Sequence, residues 1–151
     1  KKNKFKANPA KNLSFDDELI EGLLTTQKDA PDCFAILSLI YSHLNFENQD
    51  YDKDHMHPAS YFKRAVFQTD EDFNFYSDPA NWNGIANLQL LNRKLHTLKG
   101  TSPLNDWVTA NNIDKVNQLI PEDVSLDISD FKTFIAKRKE LLKTQLKNMT
   151  V

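Results

Sequence analysis

Residues 51–62 read YDKDHMHPASYF, with Asp52, Asp54, His55 and His57 inside six consecutive positions. Two of the chain's four histidines stand in this stretch. A neutral imidazole titrates near physiological pH and can take a proton from water. A carboxylate oxygen is a ligand for hard divalent cations. Some thirty residues further on, GIANLQLLNRKLHTLKG carries Asn87, His96 and Lys99. These residue types suit a metal-assisted hydrolysis, which needs a base for the attacking water, neutralisation of added negative charge, and help for the leaving group. His55 is the candidate base. Asp54 and His96 offer one oxygen and one nitrogen to Mg²⁺, Mn²⁺ or a similar ion, and leave coordination positions open for water and phosphate. Lys99 follows His96 by one helical turn and can reach a phosphate oxygen. Asp52 and His57 stand nearby as groups able to support the ligands from behind.

Positioning these residues requires a strand under Asp54 and His55, a strand headed by Asn87, and a helix carrying His96. The sequence predicts a short strand near DYDKDHMH and a strand at IANLQLL, which alternates. NRKLHTLKG reads as a helix closed by Gly100. Before them, SFDDELIEGLLTT reads as a helix with Ser14 as N-cap. APDCFAILSLIYSHLNF reads as a second helix, apolar nearly all round and therefore buried. SYFKRAVF suggests a helix and TDEDFNFYSDPANWNG a loop. SPLNDWVTANN starts a further helix at a Ser-Pro cap. From about Ser129 a long amphipathic helix offers Phe131, Phe134, Ile135, Leu141, Leu142 and Leu146 to one face. The expected class is α+β, mainly α-helical: a two-stranded hairpin with flanking helices. Residues 1–12 read as a linker or tether and 13–151 as one domain, with the strand–strand–helix core at about 48–100.

The 151 residues suffice for one domain with a real core. No run of eighteen apolar residues exists, so no membrane span is expected. The basic start KKNKFKANPAKNLSF has no apolar signal core, and a single cysteine, Cys33, suits a reducing cytoplasm. Cys33 lies in the run CFAILSLIY and reads as a buried, inert thiol. The net charge of −2 is unevenly spread. Phe46–Trp82 holds eight acids and three bases, Ile85–Gly100 holds Arg93, Lys94 and Lys99 with no acid, and Lys132–Lys147 holds six bases and one acid. A basic segment beside an acidic one can be a phosphate track next to a metal site, with Arg93, Lys94 and Lys99 as the contacts. Solvated helix faces are the plainer explanation.

The two stretches together resemble the HNH (ββα-metal) endonuclease family at its three name-giving positions, His55, Asn87 and His96. DHMHPAS is similar to the family's D-H-I-x-P-x-S, and NLQLLNRKLHTLKG to its N-L-x-L-L-x-x-x-x-H-x-x-K-G. Asn92 and Leu95 stand where many members carry zinc cysteines, so no such zinc is implied. YDKDHMHPASYF is also similar to the corresponding segment of CRISPR effector nucleases. Over roughly residues 30–110 the chain resembles the C-terminal domain of GmrSD-type restriction and phage-defence proteins, with His96 where those proteins usually have Asn. The resemblance implies a metal-dependent nuclease acting on DNA. It implies an upstream nucleotide-hydrolysing, ParB-like domain in the full-length protein. Asn87 is implied to brace the loop and orient His55.

Each residue also has a plainer role. His55 and His96 can be surface polar residues, and His57 a packing histidine. Asp52 can be a solvated strand residue and His43 a helix C-terminal cap. Trp82, Phe73, Phe75 and Tyr76 can stack on bases or pack a loop. Two other functions are therefore open: a non-catalytic nucleic-acid-binding or interaction module on the same frame, and a small helical domain with structural zinc.

Overall fold

Asp16 opens the first helix, its carboxylate accepting from the Leu19 amide at 2.8 Å. Helix α1 (Asp17–Leu24) then turns Ile20, Leu23 and Leu24 inward. The computed structural model describes residues 16–63 and 69–149. The expected tether at 1–12 and the Ser14 cap lie outside the described residues, as do residues 64–68 of SYFKRAVF. Among the described residues the fold is α+β and mainly helical, with eight α-helices and one two-stranded antiparallel sheet.

Helix α2 (Cys33–Ile40) buries Cys33, Ile36, Leu37 and Ile40. It is shorter than its apolar run, because the chain leaves the helix at Tyr41, which is fully buried. Burial raises the Cys33 thiol pKa, as suits an unreactive core thiol. Strand β1 (Tyr51–His55) pairs antiparallel with β2 (Leu88–Asn92), Tyr51 opposite Asn92, Asp54 opposite Gln89 and His55 opposite Leu88. The sequence expectation starts this second strand at Ile85. In the structure Ile85–Asn87 form a 3-10 turn and pairing begins at Leu88.

The connection between the strands is long and mostly helical. Ala59–Phe62 form a 3-10 turn where SYFKRAVF suggested a helix. TDEDFNFYSDPANWNG, expected as loop, holds helices α3 (Asp70–Ser77) and α4 (Pro79–Trp82). The cause is capping: the Thr69 hydroxyl accepts from the Asp72 amide, and Asp78 accepts from the Ala80 amide with Pro79 in the first turn. Tyr76 is buried and Phe75 partly so, both against Phe131, while Phe73 is exposed.

Helix α5 (Arg93–Lys99) follows β2 without a gap. Asn92 caps it by accepting from the Leu95 amide at 2.9 Å. Gly100 ends it at φ +53°, a left-handed conformation that favours glycine. Helices α6 (Leu104–Ala110) and α7 (Lys115–Gln118) come next; Pro103, not a serine side chain, stands at the α6 N-cap. Helix α8 (Phe131–Lys147) closes the described chain and buries Phe131, Phe134, Ile135, Leu142 and Leu146, as its pattern predicts, with Leu141 at the margin. None of these helices is long and apolar enough to cross a membrane.

The α8 residues divide between two apolar clusters. Leu142 and Leu146 join α1, α2, Leu88 and Leu90. Phe131, Phe134 and Ile135 join Met56, Phe62, Leu91 and Trp107. Between these groups α8 buries Arg138 completely. Its Nε donates to Leu119 O at 2.7 Å, Nη1 to Ala86 O at 3.0 Å and Leu88 O at 2.8 Å, and Nη2 to the Tyr41 hydroxyl at 2.7 Å. Arg138 is thus no part of a basic track. The neighbouring lysines are mostly paired: Lys132 with Glu71, Lys143 with Glu21 and Lys147 with Asp17.

Replacing Arg138 should therefore cost far more than a surface charge does. Arg138→Leu leaves buried carbonyls without this donor and the Tyr41 hydroxyl with only its bond to Gln118 O, and is expected to destabilise the fold by roughly 3–5 kcal/mol. Arg138→Lys should also destabilise, since one ammonium cannot span the same acceptors. Urea unfolding midpoints measure both; a change within about 0.5 kcal/mol, typical of a surface site, would contradict the role.

Candidate active site

Side chains alternate across a strand, so Asp52 and Asp54 share one face of β1. Helix α5 lies over that face and presents Arg93, His96 and Lys99, three residues apart and hence on one stripe. The row of acids meets the stripe of bases. Arg93 bonds Asp52 at 3.2 Å and lies 3.5 Å from Asp50. His96 Nδ1 lies 3.1 Å from Asp54 Oδ1, and Lys99 Nζ 3.2 Å from Asp54 Oδ2. Asp50, Asp52 and Asp54 of the acidic segment therefore neutralise Arg93 and Lys99 of the basic one.

Asp54 is the centre of this contact. It is 3% exposed, and Gln89, opposite it in the sheet, donates to its Oδ2 at 2.8 Å. Gln118 Nε2 in turn donates to Gln89 Oε1 at 2.9 Å. Lys99 is also buried, and its Nζ donates to the His55 carbonyl at 2.8 Å. Burial lowers the Lys99 pKa, and the Asp54 carboxylate counters that shift. This placement corrects the expectation that Lys99 contacts phosphate, because its ammonium has no free path outward. Arg93 is exposed but already holds two carboxylates. Lys94 is exposed, with no ion-pair partner among the described residues, and stays available.

His55 ends β1 and is partly buried. Its Nε2 lies 2.8 Å from Asn83 Oδ1, and its ring centroid 5.7 Å from that of Trp82. Burial lowers its pKa below the ordinary histidine value, Asn83 partly offsetting this, which favours the neutral ring. That is the protonation state a base requires. Trp82 thus packs beside the candidate base and near Phe62. Asn87 is fully buried and braces the turn after β1: its Oδ1 accepts from His57 N at 3.0 Å, and its Nδ2 donates to His57 O at 3.0 Å and Trp82 O at 2.8 Å. The resemblance implies such bracing together with a hydrogen bond from Asn87 that orients His55. The side chain that bonds His55 is Asn83.

His57 points away from this cluster. Its ring packs edge-on against Phe131 and Phe134, with centroids 5.4 and 4.7 Å away. It is 1% exposed, and its Nε2 has no hydrogen-bond partner among the described residues. Burial and the nearby Lys99 charge drive its pKa down to about 3. The packing role describes it, and it lends no support to a ligand. Asp52, bonded to Arg93, also lies apart from Asp54's partners. His43 sits in the turn after α2 and lines a surface groove of about 740 Å³ on the α7–α8 side, which contains none of the candidate residues.

The donor set can be tested against a metal ion. Two ligands in adjacent octahedral positions, each about 2.1 Å from the ion, are about 3.0 Å apart. The 3.1 Å separation of Asp54 Oδ1 and His96 Nδ1 fits that edge. His96 keeps 36% of its side chain exposed and Asp54 only 4%, so an ion would have to reach the pair from the His96 side. Among the described residues no group of three or more His, Cys, Asp or Glu comes together. Asp54 and His96 are thus the two potential ligands that meet here among the described residues, a number that would leave coordination positions open. Of the residues the sequence failed to single out, Gln89 had a legible signal, as a lone amide inside an apolar strand. Asn83 had none. No family model matches the chain, and no curated protein is significantly similar to it.

The state of His57 has a measurable consequence. Its folded pKa of about 3 lies below the unfolded value of 6.5. Between these values the unfolded chain binds a proton that the folded chain refuses, so stability falls as pH drops through this window, by up to about 1.4 kcal/mol per pH unit. His57→Phe keeps a ring of similar shape and removes the titration. Unfolding free energies from pH 7 to pH 4 should fall less steeply in His57→Phe than in the wild type, and equal slopes would refute the buried neutral state.

Proposed function

We propose that the chain is a metal-dependent DNA endonuclease domain of the HNH type. The observation that carries this reading is the approach of Asp54 Oδ1 and His96 Nδ1 to 3.1 Å, on a strand–strand–helix frame whose next residue is the partly buried His55. The motif resemblance described above supplies the substrate class. It also motivates a setting in bacterial restriction or phage defence, alongside a nucleotide-hydrolysing domain elsewhere in the full-length protein.

A divalent ion such as Mg²⁺ or Mn²⁺ between Asp54 and His96 would supply Lewis-acid charge at the scissile phosphate. The chain's own residues do the rest. His55, neutral at working pH, takes a proton from the attacking water. Lys99 and Gln89 hold Asp54 Oδ2, which leaves Oδ1 directed toward His96. Asn87 fixes the 57–58 turn behind the base. Lys94, exposed on the first turn of α5, is the phosphate contact among the basic residues of that helix.

One observation favours a second reading. Asp54 already has Lys99 and Gln89 on one oxygen and His96 on the other, so the network is satisfied without a metal. A non-catalytic DNA-binding module would keep this network intact. Such a module binds DNA with steep salt dependence and never cuts it.

Nicking of supercoiled plasmid with Mg²⁺ or Mn²⁺ separates the two. His55→Ala should reduce the rate at least about 10²-fold; an unchanged rate would remove His55 from the chemistry. His96→Asn should retain part of the activity, because an amide oxygen can replace imidazole as a ligand, and should shift preference toward Mg²⁺. His96→Ala should need much higher metal concentrations. Rates measured against metal concentration for wild type, Asn and Ala variants give the comparison. If Asn and Ala variants share the wild-type metal dependence and only the maximal rate falls, His96 is not a ligand.

A further inference from the structure

We infer that Asn83, held by the Gln27–Lys28 connection between α1 and α2, is a positioning residue that fixes the His55 ring and leaves Nδ1 as its proton-accepting nitrogen. The catalytic half of this inference rests on the nuclease reading. The hydrogen bond itself does not.

The geometry starts from the amide. Asn83 Oδ1 lies 2.8 Å from His55 Nε2, and an amide oxygen can only accept. Nε2 must then carry the proton, so the neutral ring has its lone pair on Nδ1. Trp82, packed beside the ring, limits its rotation.

Asn83 is itself held from every side. Its amide donates to Pro79 O at 2.9 Å, and its carbonyl accepts from the Lys28 amide at 3.0 Å. Its Nδ2 faces Gln27 Oε1 at 3.4 Å, which orients the other end of the amide toward His55. Next to it, Gly84 bridges to Gln27, and Ile85 N donates to Thr26 O at 3.0 Å. A Cβ on Gly84 would meet Ala80 O at 2.3 Å, so only glycine permits this approach. The loop that closes on Asn83 belongs to the N-terminal helices, outside the strand–strand–helix frame. Those helices therefore complete the site as well as the core.

In the proton-transfer step, a water O–H bond breaks as its oxygen bonds to phosphorus and the proton passes to His55 Nδ1, while the P–O3′ bond breaks and its electron pair leaves with the 3′ oxygen, which takes a proton from solvent water. Nε2–H stays bonded to Asn83 Oδ1, whose dipole favours the imidazolium that forms.

Two measurements on the full chain test this. With four histidines in all, ¹⁵N spectra of the neutral rings can be assigned. His55 should show a protonated Nε2, with a slowly exchanging ring proton that is lost in Asn83→Ala and kept in Asn83→Asp, which preserves an acceptor oxygen. Plasmid nicking with Mn²⁺ should fall roughly 10²-fold in kcat for Asn83→Ala, in keeping with a misplaced base. KM for DNA should stay within about twofold, and Asn83→Asp should recover much of the rate. A cutting enzyme whose His55 is protonated at Nδ1, or whose Asn83→Ala variant keeps the full rate, overturns the Asn83 assignment alone. A wild-type chain that never cuts overturns the nuclease reading and the catalytic role with it.

Discussion

A guanidinium that no carboxylate faces among the described residues sits where the two apolar clusters meet. Arg138 is fully buried, and its charge is balanced by backbone carbonyls and one hydroxyl. An ion in such surroundings is tolerated only when its donors are satisfied in detail, because desolvation otherwise dominates. The five donors of arginine make that feasible, and the demand falls on the backbone of residues 85–88 and 119. Leu119 lies in the left-handed region at φ +61°, which is unusual for a branched side chain. Its carbonyl is one of the acceptors of Arg138.

From this point a series of hydrogen bonds leads to the candidate site. Arg138 bonds the Tyr41 hydroxyl, Tyr41 donates to Gln118 O, Gln118 donates to Gln89, and Gln89 donates to Asp54. The same arginine fixes the carbonyls on either side of Asn87, the residue that clamps the turn after β1. Polar networks of this kind polarise one another in a low-dielectric interior and specify a single arrangement. Both Asp54 and the backbone behind His55 are therefore held from the far side of the molecule, by a helix some forty residues downstream of the motif.

The neutralisation of charge between β1 and α5 changes how the basic residues are understood. In sequence, Arg93, Lys94 and Lys99 form one block. In space, the helical period of 3.6 gives Arg93 and Lys99 to the strand and Lys94 to solvent. Residues three apart face acids two apart, so the same sequence produces ion pairs on one stripe and an exposed cation on another. Similarly, α8 keeps its lysines on the surface while burying the one arginine that falls on its apolar stripe.

Periodicity, capping and punctuation made much of the fold legible: the amphipathic α8, the helix closed by Gly100, the strand under Asp54 and His55, and the order of strand, strand and helix. These are local properties, fixed by residues within a few positions of one another. The helices between Thr69 and Trp82 were readable through the caps Thr69 and Asp78, although their polar composition suggests a loop. The candidate pair Asp54 and His96 was visible as residue types at a workable spacing. Only the tertiary structure decided that Lys99 is buried against Asp54, that His57 turns into an aromatic core, and that Asn83, not Asn87, bonds the His55 ring. Each of these depends on which groups meet across tens of residues of intervening chain. Desolvation and hydrogen-bond pairing act between neighbours in space, and a linear pattern carries no record of those neighbours.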